Sequence, residues 1–167
     1  MAVVATKSTY VTNADATPVD LNPSYQNGVL HEQVATIEAT SGDSIASTYR
    51  MLRVWSGWRI CDLLVDSDDI GTTTAGDVGL YDIAANNSGA VVDADFFASA
   101  LSLSGGALSN QNITHESAVV DVANKYKRLW EQLALTSDPG KWYDIAVTLT
   151  AAADAAGTIT MRVRYVP

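Results

Sequence analysis

Two stretches near the C-terminus alternate apolar and polar residues with period two. In YDIAVTLT (143–150), Tyr143, Ile145, Val147 and Leu149 share one side, opposite Asp144, Ala146 and Thr148. In TITMRVRYV (158–166), Ile159, Met161, Val163 and Tyr165 share one side, opposite Thr158, Thr160, Arg162 and Arg164. Side chains on a strand point alternately to its two faces, so both segments predict strands with one dry and one wet face. With Ala155-Ala156-Gly157 as the link, they are expected to pair as a hairpin. A slip of one residue would bury both arginines, which fixes the register.

Further upstream, shorter apolar runs are separated by turn residues. VLHEQVATIEA (29–39) ends at Thr-Ser-Gly-Asp, TYRMLRVW (48–55) at Ser56-Gly57, and WRICDLLVD (58–66) at a polar Ser-Asp-Asp-Ile-Gly-Thr-Thr-Thr loop. DVGLYDIA (77–84) is the next strand, followed by an Asn86-Asn87-Ser88-Gly89 turn. DADFFASALSL (93–103) reads either as a helical turn capped by Asp93 or as an irregular strand. One segment has helical spacing. In ANKYKRLWEQLAL, Tyr126, Leu129, Trp130 and Leu133 recur at three and four, and Pro139 stands where the chain must turn into the next strand. This predicts a short amphipathic helix over about 123–135. Six or more short strands with turns and one helix make the fold class all-β, an antiparallel β-sandwich or jelly roll.

The first 27 residues break these patterns. They carry Asn13, Pro18, Asn22 and Pro23, few large apolar groups and no sustained period, so residues 1–27 are expected to form an N-terminal arm and 28–167 the β-sandwich domain. A chain of 167 residues is the length of one domain that buries roughly 70% of its unfolded surface. A single cysteine, Cys61, excludes an intrachain disulfide and is expected to be a small hydrophobe inside its strand. No apolar run follows a basic start and none is long enough to span a bilayer, so neither a signal peptide nor a membrane partner is expected. The net charge of −9, from 19 acidic and 10 basic residues, argues against nucleic acid as a partner, because phosphate binding needs a basic face. Eight of those acids fall between Asp62 and Asp95, which directs attention to that region for chemistry.

The candidates for chemistry are few. His31 and His115 are the only histidines, and no G-x-S-x-G, H-E-x-x-H or H-x-H pattern accompanies them. His115-Glu116-Ser117 could be drawn as a base with partners, although adjacent loop residues seldom converge. DSDDIG (66–71) has the alternating carboxylates of a calcium loop, but Ile70 occupies the position where an EF-hand wants Asp or Asn. It reads as a solvated acidic turn. Asp93 and Asp95 stand two apart and could serve as an acid pair; beside Phe96 and Phe97 they read instead as residues that start a buried segment. No enzyme activity, metal or cofactor is expected. Of the four tryptophans, Trp130 lies on the apolar stripe of the helix, whereas Trp55, Trp58 and Trp142 sit at strand ends, where aromatics cover an interface or stack on a ligand.

GDVGLYDIAANNSGAVVDADFFASA (76–100), RLWEQLALTSDPGKWYDIAVTLT (128–150) and GTITMRVRYV (157–166) together resemble bacteriophage virion structural proteins of the capsid decoration, or cement, type. The points of likeness are Asp77-Val78-Gly79-Leu80-Tyr81, Ala90 to Phe97, Leu129-Trp130-Glu131, Asp138-Pro139-Gly140 and Tyr143-Asp144, and the likeness spans about residues 48–166. It implies a jelly-roll-like protein on the exterior of the virion, made in the host bacterial cytoplasm, with the major capsid protein as partner and often a homotrimer. It carries no catalytic residues. On this reading the contacts with capsid or neighbouring subunits are expected at Tyr10, Val19, Leu21 and Tyr25 of the arm and at Trp55 and Trp58. The alternative is a carbohydrate-binding or fibre-tip module whose tryptophans stack on host sugars.

Overall fold

A computed structural model describes residues 6–18, 28–117 and 119–167. Eight strands make up the body: β1 (His31–Ala39), β2 (Thr48–Trp55), β3 (Arg59–Ser67), β4 (Ala75–Asp82), β5 (Val91–Ser102), β6 (Leu108–Asn112), β7 (Trp142–Ala151) and β8 (Gly157–Val166). They form two four-stranded sheets, ordered β1-β8-β3-β6 and β2-β7-β4-β5, in which every pairing is antiparallel. The all-β antiparallel sandwich is therefore the observed fold.

The expected hairpin between the last two strands does not form. β7 pairs with β2 and β4, and β8 pairs with β1 and β3, so residues 152–156 carry the chain from one sheet to the other. The physical reason is that both strands are central. Each needs a neighbour on both sides, and their apolar rows are satisfied by packing the two sheets face to face. Tyr143, Ile145, Val147 and Leu149 of β7 and Ile159, Met161, Val163 and Tyr165 of β8 are all buried in one core. The outward arginines behave as the alternation requires: Arg162 donates to Asp66 (3.1 Å) and Asn110 (2.6 Å), and Arg164 to Glu32 (2.9 Å).

Bulges explain why other strands alternate less cleanly. In β2 the register against β7 shifts between Arg50 and Leu52, so Met51 is an extra residue and both Tyr49 and Leu52 turn inward. In β3 a shift between Ile60 and Asp62 does the same for Ile60 and Leu63. Cys61 sits at that bulge and is only half-buried, not fully inside as expected; desolvation pushes its thiol pKa up.

The ambiguous 93–103 segment is an irregular strand, the second half of a hairpin with β4. Val78 pairs with Ala98 while Leu80 pairs with Asp93, so two residues of β4 oppose a longer loop of β5. The slack lets Phe96 and Phe97 both enter the core, edge to face at 4.9 Å between ring centres. Gly79 makes the arrangement possible, since a Cβ there would lie 2.1 Å from the Asp93 carbonyl oxygen. The preceding turn forms where Asn-Asn-Ser-Gly places it, with positive φ at Asn87, Ser88 and Gly89.

Helix is sparse. α1 (Thr9–Ala14) is capped by the Ser8 hydroxyl, which accepts the Val11 N–H at 3.2 Å. The helix expected over about 123–135 is present as a 3-10 turn (Val122–Asn124) and one α-helical turn, α2 (Leu129–Gln132), separated by an extended Arg128. The break has a local cause. The Leu129 N–H donates to the Trp58 carbonyl (2.8 Å) and the Trp130 N–H to the Ser56 carbonyl (3.0 Å), so the start of α2 is tied to the β2–β3 turn. Leu129 is buried and Trp130 half-buried, as the apolar stripe predicts, whereas Tyr126 is exposed.

Gly79→Ala should destabilise the fold by about 3 kcal/mol, because backbone on the facing strand cannot yield as a side chain would. Urea unfolding measures this, and a loss below about 0.5 kcal/mol would mean that β5 passes less closely than described.

Candidate interaction site at the aromatic end

The ends of the sandwich differ in chemistry. At one end, β2 stops at Trp55, a tight Ser56-Gly57 turn leads through Trp58 into β3, and β7 begins at Trp142. The turn is built from buried polar contacts. The Ser56 hydroxyl donates to Asp138 (2.5 Å) and accepts the Lys141 N–H (3.1 Å), and the Ser56 N–H donates to the Lys141 carbonyl (2.9 Å). Asp138 also accepts the Gly140 N–H at 2.9 Å, so the Asp-Pro-Gly turn and the Trp-Ser-Gly-Trp turn are pinned to each other. The join is tight at Gly57, where a Cβ would lie 3.0 Å from the Asp138 carboxylate.

This pinning brings five rings into a continuous row. Trp58 lies face to face with Tyr165, 3.9 Å between centroids and 9° from parallel, and Tyr165 stacks in turn with His31 at 5.6 Å. Trp142 meets Trp58 edge-on at 5.4 Å and Trp55 at 5.0 Å. The row crosses from β1 and β8 in one sheet to β2 and β7 in the other. Such pairs add about 0.5–1.5 kcal/mol each beyond the area they bury, so the row stiffens this end as well as closing it. It still meets solvent: Trp142 is 37% exposed, and Trp55 and Trp58 are half-buried.

Sequence reasoning named Trp55, Trp58 and Trp142 but missed Tyr165 and His31. Tyr165 follows the inward parity of Met161 and Val163, so it reads as core, and only the pairing of His31 with Tyr165 shows that both rings reach this end. Of the other residues expected at an interface, Tyr10 lies in α1, while Val19, Leu21 and Tyr25 lie outside the described residues.

On the outer face of the β2-β7-β4-β5 sheet, a second polar assembly ties the edge strand down. The buried Asp144 carboxylate accepts from Arg53 Nε (2.7 Å) and Arg50 Nη1 (3.2 Å), and Arg50 also donates to the Asp82 carbonyl (2.8 Å). Asp82 holds Lys141 at 2.6 Å, and this hydrogen bond raises the lysine's pKa. A shallow cavity of about 310 Å³ lies over Arg50, Met51, Leu52, Arg53 and Asp144. Its acid is already paired with two guanidinium groups, which makes it a clamp between strands.

The candidate catalytic and metal-binding groups disperse. The His115 Nδ1–H donates to the Val120 carbonyl (2.8 Å), Glu116 accepts the Ser99 N–H (2.7 Å), and the Ser117 hydroxyl donates to the Phe96 carbonyl (2.7 Å), so the three point to different partners. In the DSDDIG loop, Asp66, Asp68 and Asp69 accept separate N–H groups from Asn110, Thr158 and Gly105. Among the described residues no group of three or more His, Cys, Asp or Glu is placed to hold a metal. Asp93 and Asp95 do come together. Burial, then the hydrogen bond with Asp95, raises the Asp93 pKa above its ordinary value of 3.8. They sit in the β5 bulge, not at a helix cap.

No protein-family model matches the chain, and no curated protein matches it. Solved structures do. A chain of the Ralstonia phage GP4 capsid superposes with a TM-score of 0.52 at 14% identity, over 89% of this chain and 91% of that one. A chain of the cyanophage Pam1 capsid asymmetric unit gives 0.51 at 15% identity, over 84% and 86%. At these identities the likeness shows a shared fold, the two-sheet antiparallel sandwich.

Two measurements bear on the site. Trp58→Ala should cost about 3 kcal/mol of stability and Trp142→Ala less than about 1.5, since only the former removes a stacked, half-buried partner of Tyr165; equal losses in urea unfolding would contradict the described row. A carboxyl titration by NMR should place Asp93 above 3.8 and show Asp95→Asn moving it downward. Because folding raises this pKa, the stability it contributes is present at low pH and fades as pH rises through the raised value. A midpoint at or below 3.8 would remove the pairing.

Proposed function

We propose that this chain is a phage virion structural protein that decorates the outside of the head. Assembled as a homotrimer on the major capsid protein, it would stabilise contacts between neighbouring capsid subunits. The observation that carries the reading is the likeness of nearly the whole chain to chains of two phage capsids, with more than four fifths of each partner covered. The strand order β1-β8-β3-β6 against β2-β7-β4-β5 supports it, since an eight-stranded sandwich of two interlocked Greek keys is the jelly roll that viral capsid domains use. Its mechanism would be buried area in place of chemistry, with many modest contacts multiplied by the trimer. Synthesis in the host bacterial cytoplasm and a place on the capsid exterior follow from the same reading.

The contact residues we assign are Trp55 and Trp58 at the aromatic end and Tyr10, Val19, Leu21 and Tyr25 in the arm. The ring geometry favours an interface over sugar binding. One face of Trp58 is covered by Tyr165 in a parallel stack, so that face is not open for a sugar to lie on.

Quantitative mass spectrometry of purified particles of the encoding phage tests the assignment. A small-integer ratio of this chain to major capsid protein is expected. A handful of copies per particle, or none, would overturn it. Deleting residues 2–24 should lower occupancy on particles while leaving the sandwich folded; unchanged occupancy would remove the arm from the interface.

A further inference from the structure

The clamp of Arg50 and Arg53 on Asp144 owes its geometry to a bulge. Residues three apart on a regular strand point to opposite faces. The extra residue Met51 changes that in β2. Arg50 lies across from Ala146 and Arg53 across from Asp144, two positions apart on β7, so both arginines stand on the outer face of the sheet. They share one acid, whose side chain is 9% exposed, which leaves the cluster one net positive charge in a chain of net charge −9.

Both guanidinium groups are already aimed. Arg50 lies over the Tyr81 ring at 5.1 Å and donates to the Asp82 carbonyl at 2.8 Å. Asp144 accepts from Nε (2.7 Å) and Nη2 (3.2 Å) of Arg53. Because the guanidinium is a rigid planar fork, holding Arg53 by its Nε–Nη2 edge directs the Nη1–Nη2 edge away from Asp144. The Arg53 side chain is 55% exposed, beside the cavity of about 310 Å³. A fixed and exposed guanidinium edge fits a carboxylate, which it can meet with two parallel hydrogen bonds.

We propose that this cavity binds the acidic 66–69 loop of a second copy of this chain. Asp68 and Asp69 are exposed, and each is held through one oxygen, by the Thr158 N–H (2.9 Å) and the Gly105 N–H (3.1 Å), which fixes the direction of the other oxygen. A shallow cavity of about 460 Å³ beside Asp66 and Asp68 gives room for an approaching side chain. Asp66 pairs with Arg162 on the outer face of the β1-β8-β3-β6 sheet, whereas Arg50 and Arg53 lie on the outer face of the other sheet, so the two sites do not meet within one copy. A contact between unlike faces of successive copies is head-to-tail, the kind that closes a ring when its rotation permits. It rests on the homotrimer part of the reading above and not on where the assembly sits on a capsid.

Purified full-length protein tests this without particles. Arg53→Lys keeps the charge and supplies an amine, and a mixture of unlabelled and heavy-isotope copies is treated with a carbodiimide, which joins amines to carboxylates in direct contact. A peptide pair linking position 53 of one isotope to Asp68 or Asp69 of the other is expected. Asp68→Asn combined with Asp69→Asn, whose carbonyls still accept the loop N–H groups, should remove that link and weaken association in sedimentation by roughly tenfold. Links from position 53 to Asp144 of the same copy alone would overturn the proposal. So would association unchanged by the two asparagines, or a chain that stays monomeric at every concentration. Assembly that persists without the mixed link would keep the homotrimer and remove this interface from it.

Discussion

The two sheets are held together by eight inward side chains from two adjacent stretches of sequence. Tyr143, Ile145, Val147 and Leu149 descend β7, the chain crosses in five residues, and Ile159, Met161, Val163 and Tyr165 return along β8 on the opposite wall. Every other pairing is laid down around these two central strands, with β2 and β4 flanking β7 and β1 and β3 flanking β8. Fully burying a residue of this size contributes about 1.5–3 kcal/mol, so this pair of strands supplies a large share of the apolar driving force. The bulges in β2 and β3 then look like adjustments that keep Tyr49, Leu52, Ile60 and Leu63 aimed at the same core.

This crossing also marks the limit of what could be read from residues alone. Alternation tells which face of a strand is dry, and it identified β7 and β8 to within a residue. It does not distinguish two strands sharing a ladder from two strands sharing a core, because both place apolar rows on one side. β6 was illegible for a different reason: Leu108-Ser109-Asn110-Gln111-Asn112 has almost nothing to bury, and it is held by β3 and by Asp66 and Arg162 gripping Asn110. The apolar stripe held at Leu129, Trp130 and Leu133 but not at the exposed Tyr126, and the backbone donors of Leu129 and Trp130 went to the Trp58 turn instead of extending a helix. At the aromatic end, three tryptophans were visible as strand-end residues. Their partners Tyr165 and His31 needed the register.

The opposite end of the sandwich is organised on another principle. Its loops hold no lysine or arginine between 40 and 47, 68 and 74, 103 and 107, or 152 and 156. Instead, their carboxylates accept backbone N–H groups and hydroxyls. Asp43 takes the Thr40 N–H and the Tyr49 hydroxyl, and Asp154 takes the Thr72 N–H and the hydroxyls of Thr72 and Thr74. These hydrogen bonds hold both carboxyl groups below their ordinary pKa. One end of the molecule is therefore an aromatic plate, and the other a set of acid-tied loops.

Those ties separate two kinds of resistance that are easily confused. Ion pairs between exposed side chains weaken as salt screens them, but a carboxylate bonded to an amide two or three ångströms away has no cation to lose and is little affected. Protons act differently. A depressed carboxyl pKa contributes stability above the usual carboxylate range and loses it as pH falls through the lowered value. The loops at this end should thus ignore brine and yield to acid.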